Sequence, residues 1–197
     1  MRLGIMGGTF DPIHNGHLFI AEEARVRCRL DQVLFLPNGH PPHKPERSVT
    51  LPAHRLAMTQ LAIQGNLHFR CSEMEIQRKG LSYTVDTLTQ LHQEYPQAEL
   101  TYITGVDTIA DFLSWRRHAE VIGLATFVAI SRPGYTWESL TKRLPADYLA
   151  KIQLLDSLEI GISSTEIRIR IQQGLPVRYL LPESVWEYVI ANALYRN

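Results

Sequence analysis

Two stretches carry side chains whose types and spacing could do chemistry. The first, "GGTFDPIHNGH" from Gly7 to His17, sets two glycines ahead of two histidines three positions apart. If a helix opens at Asn15 or Gly16, His14 and His17 share one face near its start, where unpaired amides and the positive end of the helix dipole favour an anion. Neutral imidazoles there add donors without fixed charge, a combination suited to gripping phosphate. Gly7 and Gly8, lacking Cβ, let the backbone turn tightly and come close to a ligand. The stretch is neither GxGxxG nor GxxxxGK(S/T), so it is not the dinucleotide fingerprint or the Walker loop. Two other readings stay open on these residues alone: a solvated loop with two polar histidines, and a zinc site recruiting His40, His43 or His54. Zinc pairs on a helix more often stand four apart, and neither a cysteine nor a carboxylate is evidently placed to complete the set.

The second stretch is "GISSTEIRIR", Gly161 to Arg170. Ser163, Ser164 and Thr165 cluster where a helix should begin, with Ile167 and Ile171 continuing its apolar face. An N-cap would explain Ser163 or Ser164. It does not account for three hydroxyls together with Arg168 one turn on, which read as a second phosphate grip.

The elements that must hold these stretches follow from period and punctuation. Arg2 to Met6 is a short apolar run closed by Gly7-Gly8, and His17 to Arg29 has helical spacing at Leu18, Ala21, Ala24 and Cys28. Gln32 to Asn38 is a continuous apolar run of the kind buried on both faces of a parallel sheet. The alternation continues: helix Pro52–Ile63, a strand from Leu67 through Glu75, helix Thr84–Tyr95, strand Glu99–Gly105, a short helix Asp107–Leu113 and strand Ala125–Arg132. Helix Trp137–Leu144, strand Lys151–Leu155, helix Ser164–Gln173 and helix Pro182–Leu194 complete it. The expected fold is α/β: a doubly wound, Rossmann-like parallel sheet with helices on both faces and a small C-terminal helical part, about 160–197, within a single domain spanning 1–197. The segment after Arg178 is expected only to pack. The proline-rich run Pro37 to Thr50 is the longest candidate loop, of a length often given to lids or binding loops.

Composition narrows the class. With 20 Lys and Arg against 20 Asp and Glu, the formal charge is zero, which is not the footprint of a nucleic-acid coat. Two cysteines outside any CxxC pattern argue against a disulfide scaffold and for a reducing compartment. The opening run lacks a basic leader, and no segment reaches the roughly 18 apolar residues of a membrane span. The expectation is a cytoplasmic protein with neither nucleic-acid nor membrane partner; a homo-oligomer is left open.

Taken together, "GGTFDPIHNGH" and "ISSTEIR" resemble the signatures HxGH and (I/S)SSTxxR of a nucleotidyltransferase superfamily, over Arg2 through Arg168. Within it, "PNGHPPHK", "SYTVDTL", "ITGVDT" and Ser114-Trp115 are similar to the bacterial nicotinate mononucleotide adenylyltransferase family. That resemblance implies transfer of AMP from ATP to nicotinate mononucleotide, giving deamido-NAD and pyrophosphate, without a covalent enzyme intermediate. It implies His14, His17, Lys44 and Arg168 as catalytic residues. Gly7, Gly8, Thr9, Phe10, His14, His17, Gly105, Asp107, Ile162, Ser163, Ser164, Thr165 and Arg168 would bind ATP. Ser82, Tyr83, Thr84 and Trp115 would receive the pyridine nucleotide, and Mg²⁺ would be held through the ATP phosphates with no metal ligands from the protein. An indole face suits a flat pyridine ring, and amides at the start of the Thr84 helix suit its carboxylate. Trp115 could equally be a core aromatic and Asp107 an N-cap. The same reaction on nicotinamide mononucleotide, pantetheine-phosphate adenylyltransferase or a cytidylyltransferase are the nearer alternatives; an inactive nucleotide-binding sensor or a zinc-dependent hydrolase would be of another class. Which of Arg116, Arg117 and His118 faces substrate is open.

Overall fold

The structure, a computed structural model, describes residues 1–41, 49–131, 137–158 and 160–196. Residues 42–48 of the expected loop Pro37 to Thr50, with His43 and Lys44 among them, therefore lie outside the described residues. Six strands form one sheet in the order β3-β2-β1-β4-β5-β6: β1 Arg2–Gly8, β2 Gln32–Pro37, β3 Phe69–Cys71, β4 Glu99–Gly105, β5 Thr126–Ile130 and β6 Ile152–Leu155. Where registers are set they are parallel, with Arg2 opposite Glu99, Thr101 opposite Thr126 and Phe127 opposite Ile152. This is the doubly wound order, in which ligands bind beyond the carboxyl ends of the strands where the order reverses.

The helices are α1 Asn15–Arg27, α2 Pro52–Ala62, α3 Met74–Gln77, α4 Thr84–Glu94, α5 Val106–Ala110, α6 His118–Leu124, α7 Trp137–Thr141, α8 Ala146–Leu149, α9 Ser164–Gln172 and α10 Glu183–Ala191, with a 3-10 turn at Phe112–Ser114. Contacts divide the chain into two compact units. One comprises Met1–Gly7, Ala21–Leu34 and Tyr83–Glu159, and the other Gly8–Ile20, Phe35–Ser82 and Ile160–Asn197. The first buries Ile5, Leu88, Leu91, Ile103 and Phe127, which sit on strand faces or recur at helical spacing along α4. The second buries Ile13, Phe35, Met58, Ile167 and Val185.

Several elements differ from the sequence reading. The strand expected from Leu67 to Glu75 is only three residues long. Leu67 is exposed, and the Ser72 hydroxyl accepts from the Met74 amide at 3.3 Å, turning the chain into α3. Glu75, expected on that strand, is instead buried and accepts from Asn38 Nδ2 at 2.8 Å. Short α6 and α8 escaped notice because seven and four residues are too few to display a period. The helix after β4 starts at Val106 with Gly105 as its cap residue, so Asp107 is not the N-cap but lies in the first turn, where a carboxylate complements the dipole.

Candidate functional site

The loop from Gly8 to His14 leaves β1 and enters α1 at Asn15, one of the two openings expected. Phe10 takes φ +50°, the Asp11–Pro12 peptide is cis, and Asp11, Ile13 and His14 are all buried. A Cβ on Gly8 would come within 2.7 Å of the Phe10 ring, so the glycine is required by the loop's own packing.

Side chains from distant segments fix this loop. Arg55, only 1% exposed, donates to the Thr9 carbonyl at 2.7 Å, to Asn38 at 2.6 Å, to Gly39 at 3.1 Å and to Thr50 at 2.9 Å. Its fork thereby ties together the loops after β1 and β2, and burial draws its pKa below the ordinary arginine value against the pull of Asp11. The Asp11 carboxylate accepts from the Thr50 amide at 3.1 Å and the Tyr195 hydroxyl at 2.6 Å. From α9, Ser164 Oγ donates to the Pro12 carbonyl at 2.8 Å and Arg168 to the Asp11 carbonyl at 2.7 Å. Farther along, the Leu180 and Tyr179 carbonyls accept from the Asn15 amide and side chain.

Within this frame the two imidazoles stack, 3.7 Å between centroids and 25° from parallel, and Phe10 meets His17 edge-on at 5.1 Å. The His14 amide donates to His17 Nδ1 at 3.2 Å. Nδ1 is then an acceptor, which assigns the proton of a neutral His17 to Nε2. The half-buried His17 and the buried His14 flank the first turn of α1.

The hydroxyl cluster divides its work. Ser163 is the N-cap of α9, its Oγ accepting from the Glu166 amide at 3.1 Å, so the capping explanation holds for this residue. Ser164 and Arg168 bridge to a loop more than 150 positions away, and Arg168 also donates to Thr165 Oγ1 at 3.3 Å. The structure thus brings Thr9, Phe10, His14, His17, Ser163, Ser164, Thr165 and Arg168 into one unit, with Ile162 half-buried just before α9.

Other candidates belong to the first unit. Gly105 ends β4 and Asp107 stands in α5. Tyr83 precedes α4 in extended conformation and Thr84 is its first residue. Trp115 packs on Phe112 at 4.8 Å and edge-on to Tyr102 at 5.9 Å, yet remains half-exposed, so it is both part of an aromatic cluster and a face open to contact. Gly7 is in this unit too. Ser82, expected beside Tyr83, belongs to the second unit: it is buried, and its hydroxyl accepts from the Gly39 amide at 3.1 Å. Of the three residues after Trp115, Arg117 pairs with Glu120, His118 hydrogen-bonds Tyr148 at 3.0 Å, and the Arg116 guanidinium lies 4.4 Å over the Tyr83 ring. Among the described residues, no group of three or more His, Cys, Asp or Glu side chains could hold a metal ion, and His54 Nδ1 is engaged with Tyr188 at 2.9 Å. No helix among them is long and apolar enough to cross a membrane.

Arg55, Asp11 and Tyr195 were not singled out from the sequence as holding the site. Arg55 carried a weak signal, a charge inside the apolar pattern of α2. The segment after Arg178 does more than pack, since Tyr195 reaches Asp11 and the Leu180 carbonyl reaches Asn15.

A model of the cytidylyltransferase-like family matches residues 5–170. A chain of Desulfitobacterium hafniense (strain Y51) named probable nicotinate-nucleotide adenylyltransferase is 50% identical, covering 99% of this chain and 96% of its own length. The chain belongs to this family. Another member, from Moorella thermoacetica, is 44% identical and aligns with 99% of this chain and 92% of its own. The Plasmodium falciparum nicotinic acid mononucleotide adenylyltransferase complexed with NaAD shares the fold, with a TM-score of 0.81 at 22% identity over 98% of this chain and 97% of that one.

Proposed function

We propose that this nicotinate-nucleotide adenylyltransferase family member transfers the AMP moiety of ATP to nicotinate mononucleotide, releasing pyrophosphate and deamido-NAD. The observation that carries the reading is the bridge from α9 to the His14–His17 loop: Ser164 and Arg168 hold the carbonyls of Pro12 and Asp11, so both signature stretches form one rigid cradle of donors. A phosphate oxygen of the mononucleotide attacks the α-phosphorus of ATP in line, and the bond to the β,γ-phosphates breaks. Such transfers need positioning and charge neutralisation more than a protein nucleophile. His17 donates from Nε2 to the triphosphate, and His14 stacked against it fixes the ring plane. Arg168 and Lys44 draw charge off the leaving pyrophosphate, with Thr9, Phe10, Ile162, Ser163 and Thr165 shaping the ATP cradle. Gly105 and Asp107 contact adenosine, and Tyr83, Thr84 and Trp115 take the pyridine. The donors of the cradle are imidazole, hydroxyl and guanidinium, a set that fits phosphate oxygens and leaves a Mg²⁺ ion to be bound through the phosphates and water. When bound, Mg²⁺ supplies neutralisation of the triphosphate charge.

The test is incubation of the purified protein with ATP, Mg²⁺ and nicotinate mononucleotide, following pyrophosphate and deamido-NAD by chromatography, with nicotinamide mononucleotide and phosphopantetheine as competing acceptors. Deamido-NAD formed fastest supports the proposal; faster turnover of another acceptor, or no product from any, overturns it.

A further inference from the structure

Two residues, Asn15 and Gly16, separate the signature histidines. A Cβ on Gly16 would press to within 3.1 Å of His14 Nδ1, so glycine leaves room for the ring. Asn15 is held from outside the loop: its backbone amide donates to the Leu180 carbonyl at 2.9 Å and its Nδ2 to the Tyr179 carbonyl at 2.7 Å. A carbonyl only accepts, so the side-chain amide must present its nitrogen.

The two acceptors come from a turn between α9 and α10, closed by the Leu180 amide on the Val177 carbonyl at 3.1 Å. Its third residue, Tyr179, takes φ +69°, a left-handed conformation unfavourable for a bulky side chain. The Tyr179 ring is 81% exposed, so burial of the ring does not account for that conformation. Buried Val177 and Leu181 anchor the turn, and its outcome is two successive carbonyls aimed at one residue of α1. Such strain persists where the surroundings over-determine it, and here they do so beside the stacked imidazoles.

We infer that Asn15 is a positioning residue: by gripping the Tyr179 and Leu180 carbonyls it sets how α1 begins, and with it the stacking of His14 on His17. This rests on the function proposed above. The rings stand one residue before and two residues after the tether, so both shift if the first turn of α1 pivots. Asn15 points its side chain at Tyr179 rather than at phosphate, and its loss therefore falls on kcat more than on KM for the mononucleotide.

The experiment follows N15A, N15S and N15Q by steady-state kinetics at saturating ATP and by NMR of the histidine ring protons, assigned through single histidine replacements. N15A removes the donor. N15S offers a hydroxyl too short for Tyr179 but favoured at a helix start, so it carries the test if N15A does not fold. N15Q keeps the donor on a longer stem. Expected are a roughly 10-fold fall in kcat for N15A and N15S, KM for nicotinate mononucleotide within about 2-fold, and substantial recovery in N15Q. The ring signals of His14 and His17 should shift in N15A and N15S, while those of His54, His92 and His118, which bond elsewhere, hold their positions. Near-normal kcat in folded N15S, unmoved His14 and His17 signals, or shifts spread over all the histidines overturns the inference. If the unmodified protein makes no deamido-NAD, the function proposal fails separately, and the ring signals still decide whether Asn15 positions the pair.

Discussion

The loop around His14 and His17 and the surface around Tyr83 and Trp115 are built by different physics. The first is a buried polar lattice: Arg55, Ser164 and Arg168 donate to backbone carbonyls of one short loop or its neighbours and Tyr195 donates to the Asp11 carboxylate, each within 3.1 Å. The second is an aromatic cluster with Trp115 half-exposed, Tyr83 beneath Arg116 and no side-chain cap on α4. Phosphoryl transfer depends on placing phosphorus and oxygen atoms to within a fraction of an ångström, which favours directional, desolvated hydrogen bonds. A flat ring is satisfied by an apolar face and tolerates sliding, so stacking suffices. Changes in the lattice should therefore damage stability and turnover, whereas changes around the aromatic cluster should move KM.

The most severe test of that contrast is Arg55→Ala, which strips four carbonyls of a buried donor. Unfolding in urea should show a loss of about 3 kcal/mol, with turnover lost in the fraction still folded. Arg55→Lys should recover little, because an ammonium cannot span the same four oxygens. Next is His17→Ala: turnover should fall at least 10²-fold, about 2.7 kcal/mol of barrier, with the fold intact. Near-normal pyrophosphate release from that variant would remove the phosphate-gripping role.

Tyr195→Phe is a milder cut in the same lattice, expected to cost about 1.5 kcal/mol because the bond lost is to a carboxylate. Its pH dependence has a definite sign. Burial and the neighbouring Asp11 push the Tyr195 hydroxyl above the ordinary tyrosine value near 10. The stability tied to the protonated hydroxyl is therefore complete below that value and is lost as pH rises beyond it. The gap between Tyr195→Phe and the unmodified protein, measured by denaturant titration, should be flat from pH 6 to 9 and shrink only in stronger alkali. A gap that already closes below pH 8 would place the hydroxyl outside the lattice. Smallest is Trp115→Leu, which should raise KM for the mononucleotide several-fold, on the order of 1 kcal/mol, with kcat and KM for ATP nearly unchanged. A fall in kcat there would erase the contrast between the two regions.

The strand and helix alternation was readable because parallel strands are apolar throughout and the long helices repeat every three to four residues. The errors fell where segments are short or turned by a single hydroxyl, as at Ser72. At the site, the glycines, histidines and the Ser-Thr-Arg cluster were visible because each is unusual in its spacing. Arg55 and Tyr195 were not, since a buried arginine looks like a surface one until its partners, up to 46 positions away, are known.

By itself the sequence determined the fold class, the two signature stretches and the expected reaction type, since periodicity and local motifs are properties of neighbouring residues. Tertiary structure alone decided that Ser164 and Arg168 hold the loop of His14, that Asp11 is met by Tyr195 across 184 positions, and that Arg116 rather than Arg117 or His118 lies on Tyr83. These are pairings between residues far apart in the chain or between equivalent neighbours, and only the packed backbone, which fixes where each side chain can reach, distinguishes among them.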